Sequence, residues 1–177
     1  DWRLDYSGVF IESPEKRLQQ LHQELDFIGG SLNDEYPEQL MAMRFLSPED
    51  IVLEIGGNIG RNSCVIGNIL KDSHQLTVLE SSPEIARLLT ENRDRNDLKF
   101  KIISAALSRQ PLIQNNWITR PIKNNHIPPG WKQVRTVSYT DIVRTQQPFN
   151  VLVLDCEGAI EFILQDFPEL LQGIDKI

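Results

Sequence analysis

Apolar residues cluster in short blocks at 51–55, 76–79, 100–104 and 149–154, each bounded by turn-forming or charged residues. Blocks this short and this apolar predict strands buried on both faces of a parallel sheet. Residues 134–138 read as a further strand. Between the blocks the rhythm changes. Leu18, Leu21, Leu25 and Ile28 recur at helical spacing after Ser13-Pro14-Glu15 and before Gly29-Gly30, which predicts a helix over 13–28. Ser82-Pro83-Glu84 starts a second helix by the same device, a capping hydroxyl with proline in the first turn, and it is predicted to reach residue 93. Helices are also predicted over 37–45, 60–71, 141–145 and 159–167. Residues 30–36 read as a loop, and residues 1–12 carry little signal beyond an extended start. Strands alternate with helices and no stretch is strand-only, so a three-layer α/β domain on a mostly parallel sheet is expected over 49–177. Residues 1–48 are expected to form a helical segment packed on that core.

The join after the first block narrows the chemistry. Val52-Leu53-Glu54-Ile55 runs into Gly56-Gly57-Asn58-Ile59-Gly60 and then directly into a helix. This strand–turn–helix opens nucleotide-binding α/β sheets, because glycines let the backbone close on a ligand. The next strand ends at Glu80, where one carboxylate can accept hydrogen bonds from both hydroxyls of a ribose. A dinucleotide fingerprint would need glycine at 58 and 61, but Asn58 and Arg61 stand there. A phosphate loop of the G-x-x-x-x-G-K-[ST] type is absent. The remaining pattern, E-x-G-x-x-x-G, suits S-adenosylmethionine. Glu54, Gly56, Gly57, Asn58 and Gly60 would then face its amino-acid half, with Glu80 and Ser81 at the ribose. The N-terminal amides of the helix that follows would receive its carboxylate, with the Asn58 side chain as a further donor. Ser104 and Ala105, after the 100–104 strand, are expected beside the adenine. Glu35-Tyr36-Pro37 is placed near the methionine end by position alone.

Asp155 ends the 149–154 block, and ligands of open α/β sheets bind at the carboxyl ends of strands. Glu54, Glu80 and Asp155 should therefore border one crevice. Asp155 is the candidate catalytic residue, orienting an acceptor hydroxyl or taking its proton. Glu157 reads more simply as a structural carboxylate. His22, His74 and His126 form no zinc spacing, and nothing demands a metal, although Asp155, Glu157 and His126 offer suitable ligand types. His22 and His74 read as packed or surface residues.

These blocks together resemble the FkbM family of S-adenosylmethionine-dependent methyltransferases. The resemblance spans residues 35–177 and rests on 52–60, on Leu79-Glu80-Ser81-Ser82-Pro83-Glu84 with Leu88, Leu89 and Asn92, and on Ala105-Ala106-Leu107-Ser108. It continues through Val137-Ser138-Tyr139-Thr140-Asp141-Ile142 and Leu154-Asp155-Cys156-Glu157-Gly158-Ala159, in the family's order. It implies a Rossmann-like class I methyltransferase sheet and methyl transfer to a hydroxyl of a small-molecule acceptor, sugars included. Three positions depart from the family pattern. Gly57 replaces an alanine, a change expected to be harmless; Leu154 stands where a lysine precedes the Asp; and Ile160 replaces a second acid, beside Glu161. The missing lysine motivates an alternative, a non-catalytic cofactor-binding or scaffold module keeping the fold. An NAD-dependent oxidoreductase is a third and weaker reading.

Composition adds boundaries. The 177 residues are 40% hydrophobic and 24% charged, ordinary for one globular domain. Two cysteines without metal spacing, no leader-like start and no long apolar run point to a cytoplasmic chain that does not enter a membrane. A net charge of −7 argues against nucleic acid as a partner. That charge is uneven: residues 109–140 hold Arg109, Arg120, Lys123, Lys132 and Arg135 with no acid, leaving −12 on the rest. Rich also in amides, prolines and two tryptophans, this stretch reads as an inserted basic loop or irregular hairpin at 109–136 that meets a polar or anionic acceptor such as a carbohydrate. At the other end, the chain stops at Ile177, where a further strand of the sheet is due, so the C-terminal edge hairpin of such folds is expected to be missing. Either the form is truncated or a partner covers the edge, and a homodimer through that edge would do so.

Overall fold

The 51–55 block becomes the centre of the sheet because every side chain of its strand is buried. The computed structural model describes residues 2–4, 10–124, 126–144 and 148–177. In chain order, β1 (Trp2–Leu4), β2 (Phe10–Glu12), α1 (Pro14–Glu24) and α2 (Tyr36–Phe45) precede the sheet. Then come β3 (Val52–Ile55), α3 (Arg61–Ile69), β4 (Leu76–Leu79), α4 (Pro83–Arg95) and β5 (Lys101–Ile103). Next is β6 (Ala106–Leu107), and three strands follow in the basic region: β7 (Leu112–Asn115), β8 (Ile118–Pro121) and β9 (Lys132–Val134). The chain closes with β10 (Thr136–Val137), α5 (Tyr139–Val143), β11 (Val151–Leu154) and α6 (Ile160–Asp166).

The main sheet is wholly parallel in the order β11-β3-β4-β5. Alternation along each strand divides its side chains between two cores. Val52, Leu76 and Val78 join Cys64, Ile66, Leu89 and Phe100 on one face. Leu53, Ile55, Leu79 and Leu152 join Ile142, Phe149, Ile163 and Phe167 on the other. With α3 and α4 on one side and α5 and α6 on the other, this is the three-layer, parallel α/β arrangement that the apolar blocks predict. Helices α1 and α2 form an outer layer, where Leu18 and Met43 pack against Val65 of α3.

Several boundaries differ from the sequence expectation. Helix α1 stops at Glu24, not Ile28, because tertiary partners claim the next backbone groups. The Asp26 N–H donates to Asn96 Oδ1 at 2.9 Å and the Ile28 N–H to Asn92 Oδ1 at 2.9 Å, which holds 25–28 extended against α4. Asn92, fully buried, also donates to the carbonyls of Ile28 (3.0 Å) and Ile59 (2.8 Å). The strand expected over 134–138 is two strands in two sheets, divided at Arg135: β9 pairs with β7, while β10 pairs in parallel with β6. The stretch at 109–136, expected as a loop or irregular hairpin, holds a hairpin of β7 and β8 that β9 extends into an antiparallel sheet in the order β8-β7-β9. Its alternation is weak in the sequence because much of it faces solvent and only Leu112, Ile113 and Val134 are buried. At the outer edge of β11, Lys176 pairs in parallel with Val151, and the Leu152 N–H donates to the Lys176 carbonyl at 3.0 Å. Asn125 of the basic stretch and Thr145 of the expected 141–145 helix lie outside the described residues.

Candidate functional site

Strand alternation decides where the first candidate carboxylate goes. Glu54 shares the face of Val52, so its side chain turns beneath the first turn of α3 and is 2% exposed. There it accepts hydrogen bonds from Asn62 Nδ2 (3.2 Å) and the Ser63 hydroxyl. Burial, with Glu35 and Asp155 nearby, pushes its carboxyl up to about 8 despite these donors. A carboxyl with that value carries its proton at neutral pH.

The glycine turn is hooked onto the neighbouring strand. The N–H groups of Gly56 and Gly57 both donate to the Leu79 carbonyl, at 2.9 and 3.0 Å. Gly56 has φ 100°, and a Cβ there would fall 1.9 Å from the Asp155 carbonyl oxygen. Glycine is thus what allows the ends of β3 and β11 to meet. A Cβ on Gly57 would fall 2.2 Å from Val78 Cγ1 in the buried core. Glycine, expected to be harmless at 57, is the residue for which this packing leaves room. Gly60 is the N-cap of α3.

Asn58, at φ 46°, bends the turn so that its N–H donates to Glu80 Oε2 at 3.0 Å. Glu80 Oε1 accepts from the Ser82 N–H at 2.7 Å. Burial raises the Glu80 carboxyl above the usual range, opposed by the backbone donors of Ser82, Asn58 and Ser81. A carboxylate offers about four acceptor positions, so Glu80 keeps capacity for further donors. The Asn58 side chain is already committed, donating from Nδ2 to Glu35 Oε1 at 3.1 Å. Arg61 completes that corner, reaching Glu35 (2.9 Å), Asp34 (3.2 Å) and the Ser31 carbonyl (2.8 Å). Glu35 thus does reach the glycine turn, but through Asn58 and Arg61. This Arg61 anchor was not visible in the sequence, where only its bulk at the helix start carried a signal.

A crevice partly open to solvent runs along the carboxyl ends of the strands. Gly56, Glu80, Ser81, Ala105 and Asp155 line it on the sheet side. The other five candidates, Glu54, Gly57, Asn58, Gly60 and Ser104, do not line it. Opposite stand Gln114, Trp117, Thr119 and Arg120 of the basic sheet, and Phe162 and Asp166 of α6. The α6 residues carry no local sequence signal, since only the β11–α6 connection brings them there. Asp155 is exposed at the mouth, and its carboxyl is pushed up by partial burial, then by Glu157 and Glu38. Four carboxylates line the crevice (Glu80, Asp155, Glu157, Asp166) against one cation, Arg120, among the described residues.

The histidines lie elsewhere or apart. His22 meets Gln39 Oε1 at 2.6 Å and the Tyr36 ring edge-on, His74 is held by Asp72 at the surface, and His126 is exposed. Among the described residues no group of three His, Cys, Asp or Glu could hold a metal ion, and no helix is long and apolar enough to cross a membrane. Cys64 is buried and Cys156 half-buried, both as free thiols.

No family model matches this chain, and no curated protein matches it. Among solved structures it is similar to an O-methyltransferase from Bacillus cereus in complex with SAH, at 12% identity and a TM-score of 0.41. It is similar at the same values to a Klebsiella pneumoniae protein described as a candidate O-methyltransferase. Each likeness covers 88% of this chain, which spans 61% of the length of either neighbour. At this distance neither assigns a role to any residue.

Proposed function

We propose that this chain binds S-adenosylmethionine in the crevice and transfers a methyl group to a hydroxyl of a small polar acceptor, as the resemblance to the FkbM family implies. The observation that carries the reading is the convergence of Gly56, Glu80 and Asp155, from the tips of three adjacent parallel strands, on one crevice.

The residues present fit such a cofactor. An acidic crevice favours a cation, and Glu80 lines it with acceptor capacity beyond its three backbone donors, enough for a ribose hydroxyl. Ser81 and Ala105 line the same end and would flank the nucleoside. When bound, S-adenosylmethionine supplies a methyl group on an electrophilic sulfonium. The chain's own task is to hold the acceptor hydroxyl in line with it and to take a proton at a carboxylate oxygen of Asp155. The upward push on that carboxyl makes it a better base than an ordinary aspartate. Activity should accordingly rise with pH through a value above the usual aspartate range, and Asp155→Asn should remove that limb of the pH profile.

Calorimetric titration with S-adenosylhomocysteine, with NAD as control, tests the cofactor. Binding of the first alone is expected, and Glu80→Ala should weaken it about 30-fold or more, as loss of charge-assisted hydrogen bonds implies. Unchanged affinity in that variant would reject the ribose assignment. Binding without turnover on any hydroxyl acceptor would favour a non-catalytic module, the reading that Leu154, in place of a family lysine, supports.

A further inference from the structure

We infer that the acceptor carries an oxyanion, a carboxylate or a phosphate, and that Arg120 binds it; this rests on reading the crevice as a methyl-transfer site. Arg120 stands on β8 opposite Ile113, and its guanidinium carbon lies 4.0 Å from the centre of the Trp131 ring. That distance is within the range of a cation–π contact. The ring is itself placed by a turn. The Trp131 N–H donates to the Pro128 carbonyl at 3.1 Å, with Pro129 and then Gly130 at φ 80° between them. Proline followed by a left-handed glycine suits a type II turn. Stacking occupies a face of the guanidinium and leaves its N–H edge available, and that edge matches the two oxygens of a carboxylate or phosphate.

Two other cations of the basic stretch are engaged in ion pairs. Arg109 pairs with Glu169 at 3.1 Å and Lys132 with Glu84 at 3.2 Å. Arg120 has no carboxylate within ion-pair distance among the described residues, although it lines a crevice with four of them. Those carboxylates disfavour an anion in the crevice, and Arg120 is the cation among its described lining residues that can receive one. An acceptor bearing one oxyanion is thereby oriented: its charged end goes to the basic sheet and its hydroxyl end toward Asp155. Trp117, on the same hairpin and 59% exposed, offers an apolar face for the body of the acceptor.

The test uses the full, ¹⁵N-labelled chain saturated with S-adenosylhomocysteine, observing the Arg120 Nε–Hε resonance, assigned by its loss in Arg120→Lys. The probes are inorganic phosphate, glucose 6-phosphate, glucuronate and glucose. We expect the resonance to move with at least one anion and not with glucose. Trp131→Ala should raise the concentration needed about fivefold, because the guanidinium is no longer held in place. The glucuronate and glucose 6-phosphate arms distinguish a carboxylate from a phosphate. An Arg120 signal indifferent to all three anions would overturn the inference. So would equal movement of the exposed Arg144, which would mean a diffuse ion atmosphere. Failure of S-adenosylhomocysteine to bind would count against the methyltransferase reading alone, since the response of Arg120 to anions can be read on the cofactor-free chain.

Discussion

The glycine turn after β3 and the antiparallel sheet of 112–134 face each other across one crevice, yet they are held by different means. The turn is fixed from behind: Leu79 anchors its backbone, Val78 and Leu89 leave no room for added atoms, and Glu54 is locked under α3. The basic sheet is held by its ladder and a thin apolar underside, while Trp117, Ile118, Arg120 and Lys132 stay exposed. A wall of the first kind tolerates almost no change, because interiors are close-packed and strained glycine positions admit no other residue. A wall of the second kind can change its side chains at little cost to stability, which makes it the natural place for acceptor specificity to reside.

The comparison breaks first at Gly56. Gly56→Ala should cost about 4 kcal/mol or abolish folding, since a Cβ would enter the backbone of Asp155 at an unfavourable φ. Urea unfolding measures it, and a loss below about 1 kcal/mol would show that the two strand ends can separate.

Next comes Glu54. Its carboxyl titrates near 4.5 when unfolded and about 8 when folded, so the folded state holds the extra proton between these values. The stability this confers is complete below pH 4.5 and is lost as pH rises through about 8. The fall is on the order of 4–5 kcal/mol. Glu54→Gln should flatten that slope in urea titrations run at several pH values. A slope that persists in the variant would assign it to another group.

Asn92→Ala should cost about 2–3 kcal/mol, because it strands the backbone groups of Ile28 and Ile59 that the amide satisfies. Amide exchange at Ile28 should rise with it. The smallest effect belongs to the other wall: Arg120→Gln should change stability by less than about 0.5 kcal/mol, as exposed substitutions do. A loss comparable to that at Asn92 would mean that the basic sheet depends on the Arg120–Trp131 stack for its fold.

Much of the scaffold was legible because its signals are local. Ser13 and Ser82 cap helices as their flanking prolines and acids imply, and the apolar blocks at 51–55 and 76–79 became β3 and β4 nearly residue for residue. The basic stretch was harder, since its strands are short, mostly solvated and paired across turns that carry no strong alternation. Where α1 ends was invisible for another reason: Asn92 and Asn96, far along the chain, decide it.

What the sequence determined by itself is the parallel α/β class, the glycine turn and the acids at the strand tips, because periodicity, capping and turn chemistry act between neighbours. Only the tertiary structure decided which acids face the crevice. Glu54 and Glu80 look alike in the sequence, each within a residue or two of a strand end. Pleat alternation turns Glu54 under α3 and holds it there with Asn62 and Ser63, whereas Glu80, one position past its strand, borders the crevice. The same holds for Arg120, an ordinary surface arginine in the sequence that is given its place by a tryptophan two strands away in the β8-β7-β9 order. Contacts between distant segments set the direction of a side chain, and direction is what separates a support from a ligand.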